Sequence, residues 1–283
     1  MFTLSAPAKI NWFLTILRKR QDVYNEILSL MQCVTLYDSL SFELSDDTNV
    51  VTDAPIPLER NLVYRAAMLM KETAGVKTGA KITLKKETPL QAGLGGGSSD
   101  AAFTLMGLNR LWSLGLSQGE LMKLGEALGS DVPFFLNGSV ALAEGRGEIV
   151  SPLRINKSYT ILLVKPPISV STEWAYSQAD LSREGLTKKD NNIKLFCQAL
   201  EDGDFGLLSS IQGNDLEMFV VRKYPVIDEI KQELLNLGAV FSSMSGSGPT
   251  VFGVFGTDKK TAVAKEHMAP YWYRVVRTIT SDE

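Results

Sequence analysis

The residue types best suited to chemistry gather between Pro89 and Ala102, in the run Pro-Leu-Gln-Ala-Gly-Leu-Gly-Gly-Gly-Ser-Ser-Asp-Ala-Ala. Glycine has no Cβ, so its backbone N–H can come close to a ligand. The run opens a segment with helical spacing, and a helix start presents unpaired N–H groups and a partial positive charge. A phosphate is the ligand that suits such a cradle. The common phosphate fingerprints do not apply. A P-loop places a Lys and a hydroxyl residue after its last glycine, whereas Gly97 is followed by Ser98, Ser99 and Asp100. The dinucleotide fingerprint fails because Asp100 stands where its third glycine belongs. A plainer reading of the same glycines is a flexible loop with a Gly-capped helix end.

Two charged residues could serve this cradle. Lys9 and Asn11 share one face of an apolar, strand-like run whose other face carries Ile10, Trp12, Leu14 and Ile16. Lys9 is either an edge lysine that snorkels to water or a cation aimed into a site. Asp131, in Gly129-Ser130-Asp131-Val132-Pro133-Phe134-Phe135, reads as a helix N-cap with Pro133 in the first turn. It also reads as a carboxylate held at the end of a rigid element and facing a site. Both can hold at once.

The rest of the composition narrows the field. The chain has 283 residues, 45% of them hydrophobic, and a net charge of −3, enough for a large core in one or two domains. The weak acidity argues against a nucleic-acid partner. The pairs Lys85-Lys86 and Lys188-Lys189 read as solvated faces. Two cysteines, Cys33 and Cys197, sit in apolar patterns and read as buried thiols of a reducing cytoplasm rather than a disulfide or metal framework. With one histidine, His267, little is left for a His-based triad or a zinc site. The N-terminus has no signal-peptide pattern, and no apolar run reaches the length of a membrane span.

The elements that must position these residues follow from periodicity. Phe2 to Leu17 reads as one or two strands around Pro7, and Arg18 to Asp22 as a polar turn. Ile27 to Leu36 fits helix or strand, Leu40 to Leu44 fits a strand, and Asp46 to Glu59 is a polar connection. A helix is predicted from Asn61 to Gly75 and a strand from Ala80 to Lys85, so the glycine run lies between strand and helix. Its helix carries Ala101, Leu105, Leu108 and Trp112 on one core stripe. Ser117 to Glu120 is a capping box for the next helix. Ser139 to Ala143 reads as a strand, and Glu144 to Glu148 as a glycine-spaced turn. A domain boundary is expected between Pro152 and Lys157, dividing the chain into 1–156 and 157–283. Beyond it come a strand from Thr160 to Lys165, a polar loop from Arg183 to Asn192, and helices from Asn192 to Gln212 and Glu217 to Leu237. A strand from Gly238 to Phe241, a second Gly/Ser loop from Ser242 to Pro249, a strand from Thr250 to Phe255, a helix from Asp258 to His267 and a last strand from Trp272 to Thr278 complete the chain.

Three stretches in this order resemble the GHMP kinases: Ser5-Ala6-Pro7-Ala8-Lys9-Ile10-Asn11, Pro89 to Ser99, and Met244-Ser245-Gly246-Ser247-Gly248-Pro249-Thr250. The resemblance implies an α+β GHMP kinase fold, with an N-terminal domain like the second domain of ribosomal protein S5 and a ferredoxin-like C-terminal domain. It implies ATP with Mg²⁺, the ATP held by Pro89, Leu90, Gln91, Ala92, Gly93, Leu94, Gly95, Gly96, Gly97, Ser98 and Ser99, with Gly246, Ser247 and Gly248 as a third-motif loop and no metal-site residue. It implies Lys9 and Asp131 as catalytic residues, Asp131 as general base and Lys9 stabilising charge on the attacking oxygen. The partner is a small molecule, with no nucleic acid or membrane, and the expected state is a cytoplasmic monomer or weak homodimer.

Within that family, the triple glycine before Ser98, the Gly129-to-Phe135 turn and Ala143-Glu144-Gly145-Arg146-Gly147-Glu148 resemble the members that act on a cytidine diphosphate derivative. That implies ATP-dependent phosphorylation of the 2-hydroxyl of 4-diphosphocytidyl-2-C-methyl-D-erythritol, on the non-mevalonate route to isopentenyl diphosphate. The alternative is another GHMP small-molecule kinase, of homoserine or mevalonate type. The substrate residues implied are Asn11, Tyr24, Asn25, Thr172 and Tyr176. The family pattern Asp-Gly-Tyr-His-Glu reads Asp22-Val23-Tyr24-Asn25-Glu26 here. Tyr24 keeps a ring for stacking on cytosine, and Asn25 keeps a donor and an acceptor for its edge. Val23 removes the glycine, so the turn cannot easily use positive φ. Tyr176 reads either as a second stacking ring or as a core tyrosine.

Overall fold

The long apolar N-terminal run folds as β1 (Phe2–Lys19), antiparallel to β2 (Asn25–Ser45) along nearly its whole length. The structure is a computed structural model that describes residues 1–22, 24–179, 186–210 and 213–282, with 186–192 and 209 by backbone alone. The expectation for Val23 therefore lies outside the described residues. β2 is a central strand. β1 lies along one edge, and its other edge pairs first with Val140 to Gly145 and then with Gly79 to Lys85. Both faces of its middle are buried, so Ile27 to Leu36 shows no clean two-residue period and is strand, not helix.

The first half continues through β3 (Asn49–Thr52), α1 (Leu62–Ala74), β4 (Gly79–Lys85), α2 (Gly96–Leu111), α3 (Gln118–Leu128), α4 (Val132–Asn137), β5 (Val140–Gly145) and β6 (Ile149–Pro152). The sheet order is β3-β4-β2-β5-β6, with β1 beside β2. Helix starts and stops follow local chemistry. The Asn61 side chain accepts the Val63 N–H at 2.9 Å, and Gly75 ends α1 in the left-handed region. Ser117 and Glu120 form the predicted capping box. The four helices cover one sheet face, where Phe42, Ile82 and Leu84 meet Val63, Met70, Leu105, Leu108 and Phe134.

The second half runs β7 (Thr160–Lys165), α5 (Thr172–Ser177), α6 (Leu186–Asp202), α7 (Phe205–Ser210), α8 (Glu217–Lys223), α9 (Val226–Asn236), β8 (Phe241–Met244), β9 (Val251–Phe255), α10 (Asp258–His267) and β10 (Trp272–Arg277). Its sheet order is β10-β7-β9-β8. Alternate residues of β7 and β9 face two cores. Leu162, Val164, Val251 and Phe255 pack with Ile227, Ile230 and Leu234 of α9. Ile161, Leu163, Phe252 and Val254 pack with Ile10, Trp12, Leu28 and Leu30 of the first sheet. Trp12 is fully buried there, edge-on to Tyr159 and Phe252, and its indole N–H donates to Gln32 at 2.7 Å.

The structure corrects several expectations. Register shifts between Asn11 and Phe13 and between Ile16 and Arg18 break the period of β1. Ile10 and Trp12 therefore join the core between the sheets, while Leu14 and Ile16 turn to the core of α9. β3 and β6 are short edge strands, with two of four and three of four residues exposed, too weakly patterned to read. The helix expected from Asn192 to Gln212 begins at Leu186 and breaks at Gly203, with residues 211–212 outside the described set. The polar loop expected from Arg183 thus gives way to helix from 186 onward, and 183–185 also lie outside it. The last Gly/Ser run is strand as far as Met244, because Phe241 to Met244 pairs with β9.

Candidate active site

Lys9 is held where a lysine needs partners. Its side chain is 4% exposed, so it does not snorkel. The ammonium donates to Asn11 Oδ1 at 2.5 Å and Gly93 O at 3.2 Å, and lies 3.6 Å from the Asp131 carboxylate. Burial pulls its pKa below the ordinary lysine value, against the opposing pull of Asp131. Asn11 is fixed in turn, its amide donating to Ser29 Oγ at 2.7 Å. Asp131 stands at the N-cap position of α4 but accepts no capping hydrogen bond. That corrects the capping reading: the carboxylate is turned to Lys9 and is about one third exposed to the cavity, at 35%.

The glycine run does two separate jobs. Gly93 and Gly95 adopt positive φ, +75° and +67°. A Cβ on Gly93 would lie 2.2 Å from Ser245 O, and one on Gly95 would lie 2.9 Å from Lys9 Cγ. These two glycines make room for the protein's own third loop and for the lysine stem. Gly95 also has no side chain with which to cap α2. The first N–H groups of α2, at Gly96, Gly97 and Ser98, therefore open onto the cavity as an anion cradle.

One cavity of about 1410 Å³ brings nearly all the predicted residues together. Pro89 to Ser98 line it with Lys9, Asn11 and Asp131. Tyr24, Asn25, Thr172, Tyr176, Gly246, Ser247 and Gly248 line it too. Ser99 does not: it is fully buried behind the loop. Thr172 Oγ1 and Ser247 Oγ share a hydrogen bond of 2.9 Å, which joins α5 to the third loop. Tyr176 packs on the α9 core and also lines the cavity. Burial, and then the charge of Asp131, raises its phenol pKa above the ordinary value.

Sequence reasoning missed three sets of lining residues. Arg146 lies with its guanidinium 5.0 Å from the Tyr24 ring centroid and was visible only as an arginine between two glycines. Pro55 to Pro57, Asn61 and Leu62 line the end of the cavity beside Gly97 and gave no signal. Lys86 is the clearest correction. It is not solvated but buried, bonded to Asp38 and, at 2.7 Å, to Asp100. The side chains of Lys188 and Lys189 lie outside the described residues. Asp38 is fully satisfied by Lys86 and the N–H groups of Glu87 and Thr88, at 2.7 and 2.8 Å.

A cradle for anions, a desolvated cation and an adjacent carboxylate in one cavity are the parts of a phosphoryl transfer to a hydroxyl. Comparison with known proteins agrees. The GHMP kinases N terminal domain matches residues 61–139, and the GHMP kinases C terminal domain matches residues 196–273. The 4-diphosphocytidyl-2-C-methyl-D-erythritol kinase of Thermodesulfovibrio yellowstonii is 48% identical over 99% of this chain and 98% of that protein. A crystal structure of 4-(cytidine 5'-diphospho)-2C-methyl-D-erythritol kinase superposes with a TM-score of 0.84 at 32% identity, over 98% of this chain and 99% of the other. The homoserine kinase of Cytophaga hutchinsonii shares the fold, with a TM-score of 0.75 at 22% identity over 99% of this chain and 95% of its own. By model, identity and coverage, the chain belongs to the 4-diphosphocytidyl-2-C-methyl-D-erythritol kinases within the GHMP kinase family.

Proposed function

We propose that the chain transfers the γ-phosphoryl group of ATP to the 2-hydroxyl of 4-diphosphocytidyl-2-C-methyl-D-erythritol, on the non-mevalonate route to isopentenyl diphosphate. The observation that carries the chemistry is the buried Lys9 paired with the cavity-facing Asp131, in the same cavity as the uncapped start of α2. In the reaction the substrate oxygen bonds to the γ-phosphorus, the bond to ADP breaks, and the hydroxyl proton passes to Asp131. The Lys9 ammonium stabilises charge on the attacking oxygen, and Asn11 orients the alcohol. The N–H groups of Gly96 to Ser98 hold the phosphates.

The acceptor end supports a cytidyl substrate. Tyr24 is half exposed, which leaves its ring open for base stacking. Asn25 Oδ1 is buried without a partner among the described residues, an acceptor that matches the N4 amino group of cytosine. Its position beside Tyr24 carries the substrate assignment further than the fold does.

Mg²⁺ fits the oxygen donors available. The ion takes one or two protein oxygens and completes its octahedron with phosphates and water. Ser98 lines the cavity at the start of α2 and offers such an oxygen. Among the described residues no group of three or more His, Cys, Asp or Glu is placed to hold a metal ion, and an ion carried on the nucleotide phosphates needs no such cluster. Bound there, it would screen the charge on the transferring phosphates. We place the reaction in the cytoplasm, where ATP is supplied, and the division between two units at residues 156 and 157.

A substrate panel with ATP tests the assignment. ADP formation with 4-diphosphocytidyl-2-C-methyl-D-erythritol and with neither homoserine nor mevalonate is expected. Turnover of one of those alcohols, with none of the cytidyl compound, would overturn it.

A further inference from the structure

We propose that residues 213–217 form a clip that sets the position of Lys9, and that Asn214 is its positioning residue; this rests on the kinase reading above. The clip attaches at the outer edge of β1. That strand pairs with β2 on one side only, yet its other side is not left to water. Lys9 N–H donates to Leu94 O at 2.9 Å, and Asn11 N–H to Ser245 Oγ at 3.3 Å. Leu14 N–H donates to Gly213 O at 2.6 Å and Leu14 O accepts Asp215 N–H at 2.8 Å. Ile16 N–H donates to Asp215 Oδ2 at 2.9 Å. The glycine run, the third loop and the 213–217 segment thus share one edge of the strand that carries the catalytic lysine.

Within the clip, consecutive side chains reach different elements. Asn214 is buried, and its amide donates to two carbonyls of the third loop, Met244 O and Gly246 O, each at 2.8 Å. Its Oδ1 accepts the Leu216 N–H at 3.0 Å, which fixes the amide's direction. Glu217 Oε2 accepts the Met244 N–H at 2.8 Å. So the clip grips β1 by its backbone and the third loop by Asn214 and Glu217.

The third loop transmits this to the site. Ser245 Oγ donates to Gly93 O at 2.9 Å, the same carbonyl that Lys9 Nζ uses. A Cβ on Gly246 would lie 3.4 Å from Lys9 Nζ and 3.1 Å from Asn11 Oδ1, so the loop backbone is the wall against which both side chains rest. Loss of the amide at position 214 frees two carbonyls and lets that wall move. A displacement near 1 Å at a reacting group is enough to cost about a hundredfold in rate.

Asn214→Asp tests the idea, because it keeps shape and the acceptor for Leu216 but replaces the donating amide by oxygen. Asn214→Ser is the second variant if the first does not fold. Leu234→Ala, in the α9 core, controls for lost stability alone. The expected result is a fall in kcat of roughly a hundredfold at position 214, with KM for both substrates within about threefold. Leu234→Ala should lower Tm yet keep kcat. Amide hydrogen exchange should quicken at 11–16 and 245–248 in the position-214 variants, a readout that needs no substrate. Unchanged exchange there, or kcat within twofold of the parent in a folded variant, overturns the clip. An inactive parent with quickened exchange in the variant would instead count against the substrate assignment and leave the clip standing.

Discussion

The Lys9 ammonium lies 3.6 Å from the Asp131 carboxylate, with the lysine buried and the aspartate open to the cavity. That asymmetry assigns their roles. The cation is fixed, desolvated and surrounded by oxygen atoms of Asn11, Gly93 and Asp131. The carboxylate, free of any capping duty, can meet a substrate hydroxyl.

The pair predicts a pH profile. Lys9 acts in its charged form, and burial holds its pKa below the ordinary value near 10.5. On the alkaline side turnover should be lost as pH rises through the lowered value. A profile of kcat against pH should therefore show its alkaline limb below 10.5. A rate that stays flat up to that pH would contradict the account.

Gly95 is predicted to tolerate no side chain. At φ +67° an alanine costs about 1–2 kcal/mol, and its Cβ would press 2.9 Å from Lys9 Cγ. Gly95→Ala should lower Tm modestly but kcat/KM by about a hundredfold, because the lysine is displaced. Equal, small losses in both would mean that the glycine serves only the turn.

How much of this was legible in sequence depended on whether the signal was local. The glycine run, the capping box at Ser117 and the stripe of Ala101, Leu105 and Leu108 are local patterns, and the structure carries them out. Lys9 and Asp131 were visible as candidates, but their plainer readings could not be set aside, because what decides them is a contact between residues far apart in the chain. Lys86 was misread for the same reason. Its partners lie 48 and 14 residues away, and nothing near Lys85-Lys86 announces them. The bulges in β1 moved Leu14 and Ile16 to another core, since a single inserted residue reverses the facing of everything after it. Asn214 gave no signal at all, because its work is done on backbone carbonyls 30 and 32 residues on.

The buried cluster of Asp38, Lys86 and Asp100 predicts a stability effect. Burial raises Asp100 to about 7, with Lys86 pulling against the shift and Asp38 adding to it. The unfolded chain releases that proton near 3.8, so the folded state binds more protons between the two values. Stability from this group is full below the lower value and lost as pH rises towards about 7. Asp100→Asn cannot titrate. Its Tm relative to the parent should therefore improve between pH 5 and pH 8. A difference that stays constant with pH would show that the carboxyl does not hold its proton.

The central claim is that Asp131 receives the proton of the cytidyl alcohol. The most direct measurement is single-turnover phosphorylation of 4-diphosphocytidyl-2-C-methyl-D-erythritol by Asp131→Asn, with folding checked by circular dichroism. A general base contributes about 10²–10⁴ in rate, so the transfer step should slow by that factor while ATP still binds. Transfer within a few-fold of the parent, in a folded protein, would contradict the account.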